Sequence, residues 1–260
     1  THAAGFDHLV KDTSPARRTK KIIALIAKEK MQLVQTLPKK GVAIINLDQP
    51  EFRVERSGVR ARQITYGKSI KANLRILSNF RFRYQGVAHK LNLGDIYPEY
   101  FAYTFAAAIS TCAGLGIPPS QSVKALSTYR APAGRLRIFP GLSGSTIIDS
   151  SYNASPASML ESLKLLKILA AKNKKIAVIG DMRELGLSEK IAHKNLADWL
   201  LSYCDEAILF GDLTGAHTLP VLFSKKFPVH HFTHMSDLTK YLCSHLSPNS
   251  YVLVKGSQNN

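Results

Sequence analysis

Residues 147–159, Ile147-Ile-Asp-Ser-Ser-Tyr-Asn-Ala-Ser-Pro-Ala-Ser-Met159, change period in the middle. The β-branched run before Asp149 reads as a buried strand, whereas Ser155 suits a helix N-cap, Pro156 suits the first helical position, and Met159, Leu163, Leu166 and Ala170 fall on one helical stripe. Between strand and helix lie an acid, an amide and several hydroxyls, ahead of helix amides that favour anions. The same strand-then-helix unit recurs downstream. Short apolar runs at 176–180, 207–211, 229–232 and 251–254 alternate with helical segments, one from Ser188 to about Tyr203 and one after Ser236. That alternation predicts an α/β domain with a parallel, doubly wound sheet over 134–260. Ligands of such sheets sit beyond the carboxyl ends of the strands, so 149–153, 180–184 and 255–257 are expected to converge on one edge.

Residues 1–133 read differently. Ser14-Pro15 opens a basic helix to about Leu37, with Ile22, Ile23, Ile26, Leu33 and Val34 as its apolar side. A buried strand, 42–46, follows the turn at Gly41. Alternation around 63–66 and 74–84 predicts twisted antiparallel strands with Arg75, Arg81 and Arg83 on the wet face. An Ala-rich helix over 97–115 and another over 118–129 lead to Ala131-Pro132-Ala133-Gly134, which reads as a linker. With 260 residues, 45% of them hydrophobic, two domains with real cores are expected, 1–133 and 134–260.

Composition narrows the chemistry. There are 35 Lys and Arg against 18 Asp and Glu, a formal charge of +17. The first half holds 21 basic and 8 acidic residues and the second 14 and 10, so the imbalance that would suit an anionic partner sits mainly in the first. Three cysteines without C-x-x-C spacing point to a reducing compartment, by default the cytoplasm. The weakly polar run 101–117 falls short of the roughly 18 apolar residues of a membrane span. Neither G-x-x-x-x-G-K-[ST] nor G-x-G-x-x-G occurs. His230, His231 and His234 lack accompanying carboxylates, and an exposed strand end describes them better than a metal site.

The 147–159 stretch is similar to the D-D-S-Y-N-A-N-P-x-S-M signature of the Mur ligases, in the branch that joins D-alanyl-D-alanine to UDP-N-acetylmuramoyl-tripeptide. Four further matches follow the family's order. Gly41-Val-Ala-Ile-Ile-Asn-Leu-Asp48 resembles G-x-A-I-x-N-x-D, and Ala133-Gly-Arg135 resembles P-G-R. Ala177-Val-Ile-Gly-Asp-Met-Arg-Glu-Leu-Gly186 followed by His193 resembles V-x-G-D-M-x-E-L-G…H, and Leu253-Val-Lys-Gly-Ser257 resembles L-V-K-G-S. An ordered set is far more specific than any one motif.

The resemblance implies part of a central Mur-type ATPase domain followed by a C-terminal Rossmann-like domain, and a two-step amide ligation. ATP with Mg2+ activates the substrate carboxylate as an acyl phosphate, and the dipeptide amine displaces phosphate. It implies that Lys30, carbamylated, and His8 are catalytic and lie at the metal, and that Arg135 reaches the γ-phosphate from the hinge. Asn46, Asp48, Arg135, Asp149 and Tyr152 would contact the nucleotide, and Asn153, Asp181, Lys255 and Ser257 the amine substrate. Without the resemblance, Lys30 is one more lysine on a basic helix, His8 a loop histidine, and Asp181 an acid ending a strand.

Departures accompany the matches. Where the family shows G-R-H-N-x-x-N to seat adenine, this chain has Pro98-Glu-Tyr-Phe-Ala-Tyr-Thr104, which places Tyr100, Phe101 and Thr104 at altered positions. Ser150 replaces the second aspartate of D-D-S-Y-N. The family's first domain and phosphate loop would precede Thr1, so the chain is expected to be an internal fragment, inactive alone and part of a monomeric cytoplasmic enzyme. A related ligase with another amine acceptor, and a basic binding module without enzymatic activity, are the competing readings. The second is disfavoured because the basic residues lack interleaved exposed aromatics, so no nucleic-acid partner is expected.

Overall fold

The computed structural model describes residues 15–257. The chain divides between Tyr129 and Arg130 into two compact units.

In the first unit, α1 (Pro15–Gln35) precedes β1 (Val42–Asn46), the short α2 (Pro50–Glu55), β2 (Arg62–Gly67), β3 (Leu74–Leu77), β4 (Arg81–Tyr84), β5 (Val87–Lys90), α3 (Phe101–Gly114) and α4 (Pro119–Leu126). The five strands lie in sequence order in one sheet. The expectation of antiparallel strands from 63 onward holds only for β3, β4 and β5; β2 runs parallel to both β1 and β3. The segments between β1 and β2, including α2, and between β2 and β3 carry the chain back, which a parallel pair requires. Gln85 and Gly86 both have positive φ, the backbone of a two-residue turn matched to strand twist, and they close β4 onto β5.

Helix α1 turns inward part of the expected stripe, Ile22 and the half-buried Ile26 and Val34, but not all of it. Ile22, Ala27 and Met31 are buried, while Ile23 and Leu33 are exposed. Met31 packs with Ala43, Ile45, Val59 and Ala61, a face set by 3.6-residue periodicity rather than by hydrophobicity alone. At the other side of the unit, Tyr97, Phe101, Phe105 and Tyr129 form an aromatic cluster. Phe101 and Phe105 are therefore core, and Tyr100 is 40% exposed.

The second unit contains β6 (Arg137–Pro140), β7 (Thr146–Asp149), α5 (Pro156–Ala170), β8 (Lys175–Gly180), α6 (Glu189–Tyr203), β9 (Glu206–Phe210), a π-helical turn (Thr214–Thr218), α7 (Leu219–Ser224), β10 (Val229–Phe232), α8 (Met235–His245) and β11 (Tyr251–Lys255). Its sheet has the order β10-β9-β8-β11-β7-β6. All neighbours are parallel except the β6–β7 edge pair. Ile176, Val178, Ile208 and Val252 pack with Leu238 of α8. Residues of opposite parity, Ala177, Ile179 and Leu253, are also fully buried, as are Met159, Leu163 and Leu166 of α5 and Leu196 and Leu200 of α6. Both faces of the sheet are thus covered, as a doubly wound sheet demands. The start of α5 is fixed locally: Ser155 Oγ accepts from Ser158 N and Ser158 Oγ accepts from Ser155 N, a reciprocal cap.

Candidate functional site

The late insertion of β11 between β7 and β8 determines what meets at the sheet edge. Asp149 is paired in register with Val254, and Ile179 with Lys255, so the segments after all three strands leave side by side. Lys255 is 2% exposed. Its ammonium donates to the Asn153 carbonyl at 2.8 Å, to Ser150 Oγ at 3.2 Å and to the Ser150 carbonyl at 3.4 Å. Burial disfavours the charged form, and the pKa is lowered to about 8. Lys255 therefore lies beneath the loop 150–153 and ties it to β11, instead of projecting from a cleft wall. Ser257 joins the third segment: its N–H donates to the Asp181 carbonyl at 3.0 Å and its Oγ accepts from Arg183 N at 3.1 Å.

Asp181 proves to be an internal brace. It is 1% exposed, and its carboxylate accepts from Leu213 N and Thr214 N at 3.2 and 2.9 Å. It thereby seats the π-helical turn. A Cβ at Gly211 would come within 2.7–2.8 Å of this carboxylate, so the glycine makes room for it. His193, fully buried, donates from Nδ1 to Glu189 O and accepts Met182 N on Nε2. His193 thus ties the 180–193 motif internally, while Asp181 and Arg183 tie it to 213–214 and Ser257.

A second group forms at the start of this unit. Asp149 Oδ2 accepts from Gly134 N at 2.7 Å, and Oδ1 accepts from the Ser151 hydroxyl and amide. Tyr152 N donates to Gly134 O, and the Arg135 guanidinium lies 3.9 Å from the centre of the Tyr152 ring. Gly134 has φ +75, and a Cβ there would meet Tyr152 at 3.0 Å. Arg135, Tyr152 and Asn153 are all exposed, and together they present a cation, an aromatic face and an amide on one rim.

In the first unit, Lys30 is exposed and lines a cavity of about 150 Å3 with Asn46, Phe52 and Tyr66. Asn46 Oδ1 accepts from Asp48 N at 3.0 Å. Asp48 is engaged within its own unit: Lys68 N, Ser69 N and the Tyr103 hydroxyl all donate to its carboxylate. Burial, then the hydrogen bond to Asp48, pushes the Tyr103 phenol up to about 12. Among the described residues, no three of His, Cys, Asp and Glu gather as a metal site. His231 Nε2 instead meets Gly211 O, and the His230 ring packs on Tyr241. His8 lies outside the described residues.

Sequence reasoning missed the part played by Ser150, read only as a missing aspartate but here an acceptor for Lys255. It also missed Tyr103 and Tyr66, for which sequence offered no signal beyond aromatic residues near a strand or helix.

Two domain models of one family match in order: the Mur ligase middle domain over residues 21–102, and the Mur ligase glutamate ligase domain over 134–258. The chain belongs to the Mur ligase family. Among relatives of this Mur ligase chain, the UDP-N-acetylmuramoyl-tripeptide--D-alanyl-D-alanine ligase of Bacillus subtilis is 28% identical over 242 residues, 90% of this chain and 52% of its own. The ligase of the same name from Buchnera aphidicola is 30% identical over 245 residues, with the same coverages. The chain spans about half the length of the curated relatives it matches. Similar folds occur in MurF from Acinetobacter baumannii, with a TM-score of 0.77 at 22% identity over 90% of this chain and 53% of that one. MurF ligase from Thermotoga maritima, solved in complex with ADP, gives 0.72 at 22% identity over 90% and 54%.

Proposed function

We propose that this chain supplies the central ATP-binding portion, residues 1–133, and the amine-accepting domain, residues 134–260, of an ATP-dependent ligase. That ligase adds D-alanyl-D-alanine to UDP-N-acetylmuramoyl-tripeptide in the cytoplasm. The observation that carries the reading is the loop 150–153, whose sequence resembles this branch of the family and which a buried lysine holds at the shared edge of β7, β11 and β8. Relatives named for this reaction match 90% of the chain. Among the described residues no helix is long and apolar enough to cross a membrane.

The side chains fit the co-substrate in part. Mg2+ takes hard oxygen donors and is held through few carboxylates together with substrate phosphates. An amine is no such donor, but the exposed Lys30, carbamylated by CO2, would present two oxygens beside Asn46. Bound ATP with Mg2+ would supply the phosphoryl group that activates the carboxylate and cationic charge to offset it. Arg135 offers a guanidinium held over Tyr152, suited to phosphate oxygens. Asp149 and Lys255 position the rim from which Tyr152 and Asn153 project. Asn153 Oδ1 accepts from Ala154 N at 2.8 Å and keeps a second lone pair with which to orient an incoming amine.

The test is an acceptor comparison with the full gene product, UDP-N-acetylmuramoyl-tripeptide and ATP. D-Alanyl-D-alanine should yield ligated product and phosphate in equal amounts, whereas single amino acids should not. Turnover with another amine alone would replace this reading by that of a sister ligase.

A further inference from the structure

The outer face of the β3–β4–β5 sheet carries an arrangement that the ligase reading does not use. Leu74, Ile76 and Phe82 are buried on the inner face, so residues of opposite parity must point outward. Arg75 is paired directly across from Arg83, Leu77 from Arg81, and Arg81 in turn from Lys90. Cross-strand partners share a face and lie close together, and like charges set opposite one another destabilise a sheet. This face therefore costs the free protein stability.

Arg75 Nε donates to Lys68 O and Arg81 Nε to Ser78 O, both at 3.4 Å. Among the described residues no carboxylate pairs with Arg75, Arg81 or Arg83. These three and Lys68 line a cavity of about 530 Å3 over a floor that includes Leu77 and Ala88. Its acidic member is Glu99, which pairs with Lys68 Nζ at 3.4 Å. The volume is that of a small-molecule site. Guanidinium forks match phosphate oxygens bidentately, and three from two adjacent strands line this one hollow. No aromatic side chain lines the cavity, so a nucleic-acid base would find nothing to stack on.

We propose that this cavity binds a small anion with two linked phosphoryl groups, either free pyrophosphate or the diphosphate end of a nucleotide. The bound anion relieves the Arg75–Arg83 opposition, so binding and stability of the first unit are coupled.

The experiment is calorimetric titration of the 260-residue chain with inorganic pyrophosphate and, in a second arm, with a nucleoside diphosphate, alongside thermal denaturation. Wild type should bind pyrophosphate and melt higher with it. Each guanidinium removed, in Arg81→Gln or Arg83→Gln, should weaken binding at least about tenfold. Arg83→Lys, which keeps the charge and loses the fork, should fall between. Arg83→Gln should also melt higher than wild type without ligand, a result that loss of folding could not imitate. Equal affinity in the two arms assigns recognition to the phosphates alone, and tighter diphosphate binding adds the nucleoside. Absence of pyrophosphate binding, binding unchanged in both Gln variants, or binding of single-stranded RNA alone with a steep salt dependence would overturn the proposal.

Discussion

Ser150 Oγ lies 3.2 Å from the Lys255 ammonium, at the position where the family signature resembled by this loop carries a second aspartate. A hydroxyl there leaves a buried cation hydrogen-bonded but, among the described residues, without a counter-charge. Burial lowers the lysine pKa, and a hydroxyl adds no charge to offset it.

Lys255 should therefore make the second unit more stable as pH rises from about 8. Its folded pKa, about 8, lies below the ordinary 10.5, so between those values the unfolded chain binds more protons and stability climbs with pH. Cys204 acts in the opposite sense. Burial raises its thiol from 9.0 to about 12, so the unfolded chain loses that proton first above pH 9. The informative window is thus pH 8–9, where denaturation should show a gain on the order of 1 kcal/mol in wild type. The gain should disappear in Lys255→Met. It should also disappear in Ser150→Asp, which supplies the counter-ion and returns the lysine pKa upward.

Asp48 is expected to act on stability. Removing its carboxylate in Asp48→Ala strands Lys68 N, Ser69 N and the Tyr103 hydroxyl, at a cost of about 1–3 kcal/mol in chemical denaturation. The Tyr103 phenol should titrate below about 12 in this variant. It should stay above 10.0, because burial is the larger cause of its shift. Unchanged stability would show that these three hydrogen bonds do not hold the fold.

Gly134→Ala should disturb the Arg135 rim from a distance. The left-handed backbone at φ +75 costs a non-glycine residue about 1–2 kcal/mol, and the new methyl would press on Tyr152 at 3.0 Å. Denaturation should show the lost stability, and ligation by the full gene product should fall with it.

Lys30→Ala should abolish ligation, and short carboxylic acids added to the assay should restore part of it by standing in for the carbamate oxygens. Full activity without rescue would remove Lys30 from the chemistry.

The second unit was legible in sequence because parallel strands buried on both faces read as uninterrupted β-branched runs, and Ser155-Pro156 marks its first helix. What escaped notice was β6, whose Arg137 and Pro140 suit an edge strand but resemble a loop. The turn and helix over 214–224 also escaped, because Gly215 and Pro220 read as breakers. In the first unit, strand alternation was visible but strand direction was not, since direction depends on where α2 returns the chain. At the site, the convergence of 149–153 with 255–257 followed from topology. The part each acid plays did not, because Asp48 and Asp181 at strand ends look the same in sequence whether they face a ligand or backbone amides. Only three-dimensional packing distinguishes the two.

The most direct test of the amine-accepting edge is steady-state kinetics of the full gene product with Asn153→Ala, an exposed change, and Lys255→Met, which releases the loop above it. Both should raise KM for D-alanyl-D-alanine or lower kcat/KM for it at least about tenfold, with KM for ATP little altered in Asn153→Ala. Unchanged dipeptide kinetics in both variants would contradict the assignment of this edge.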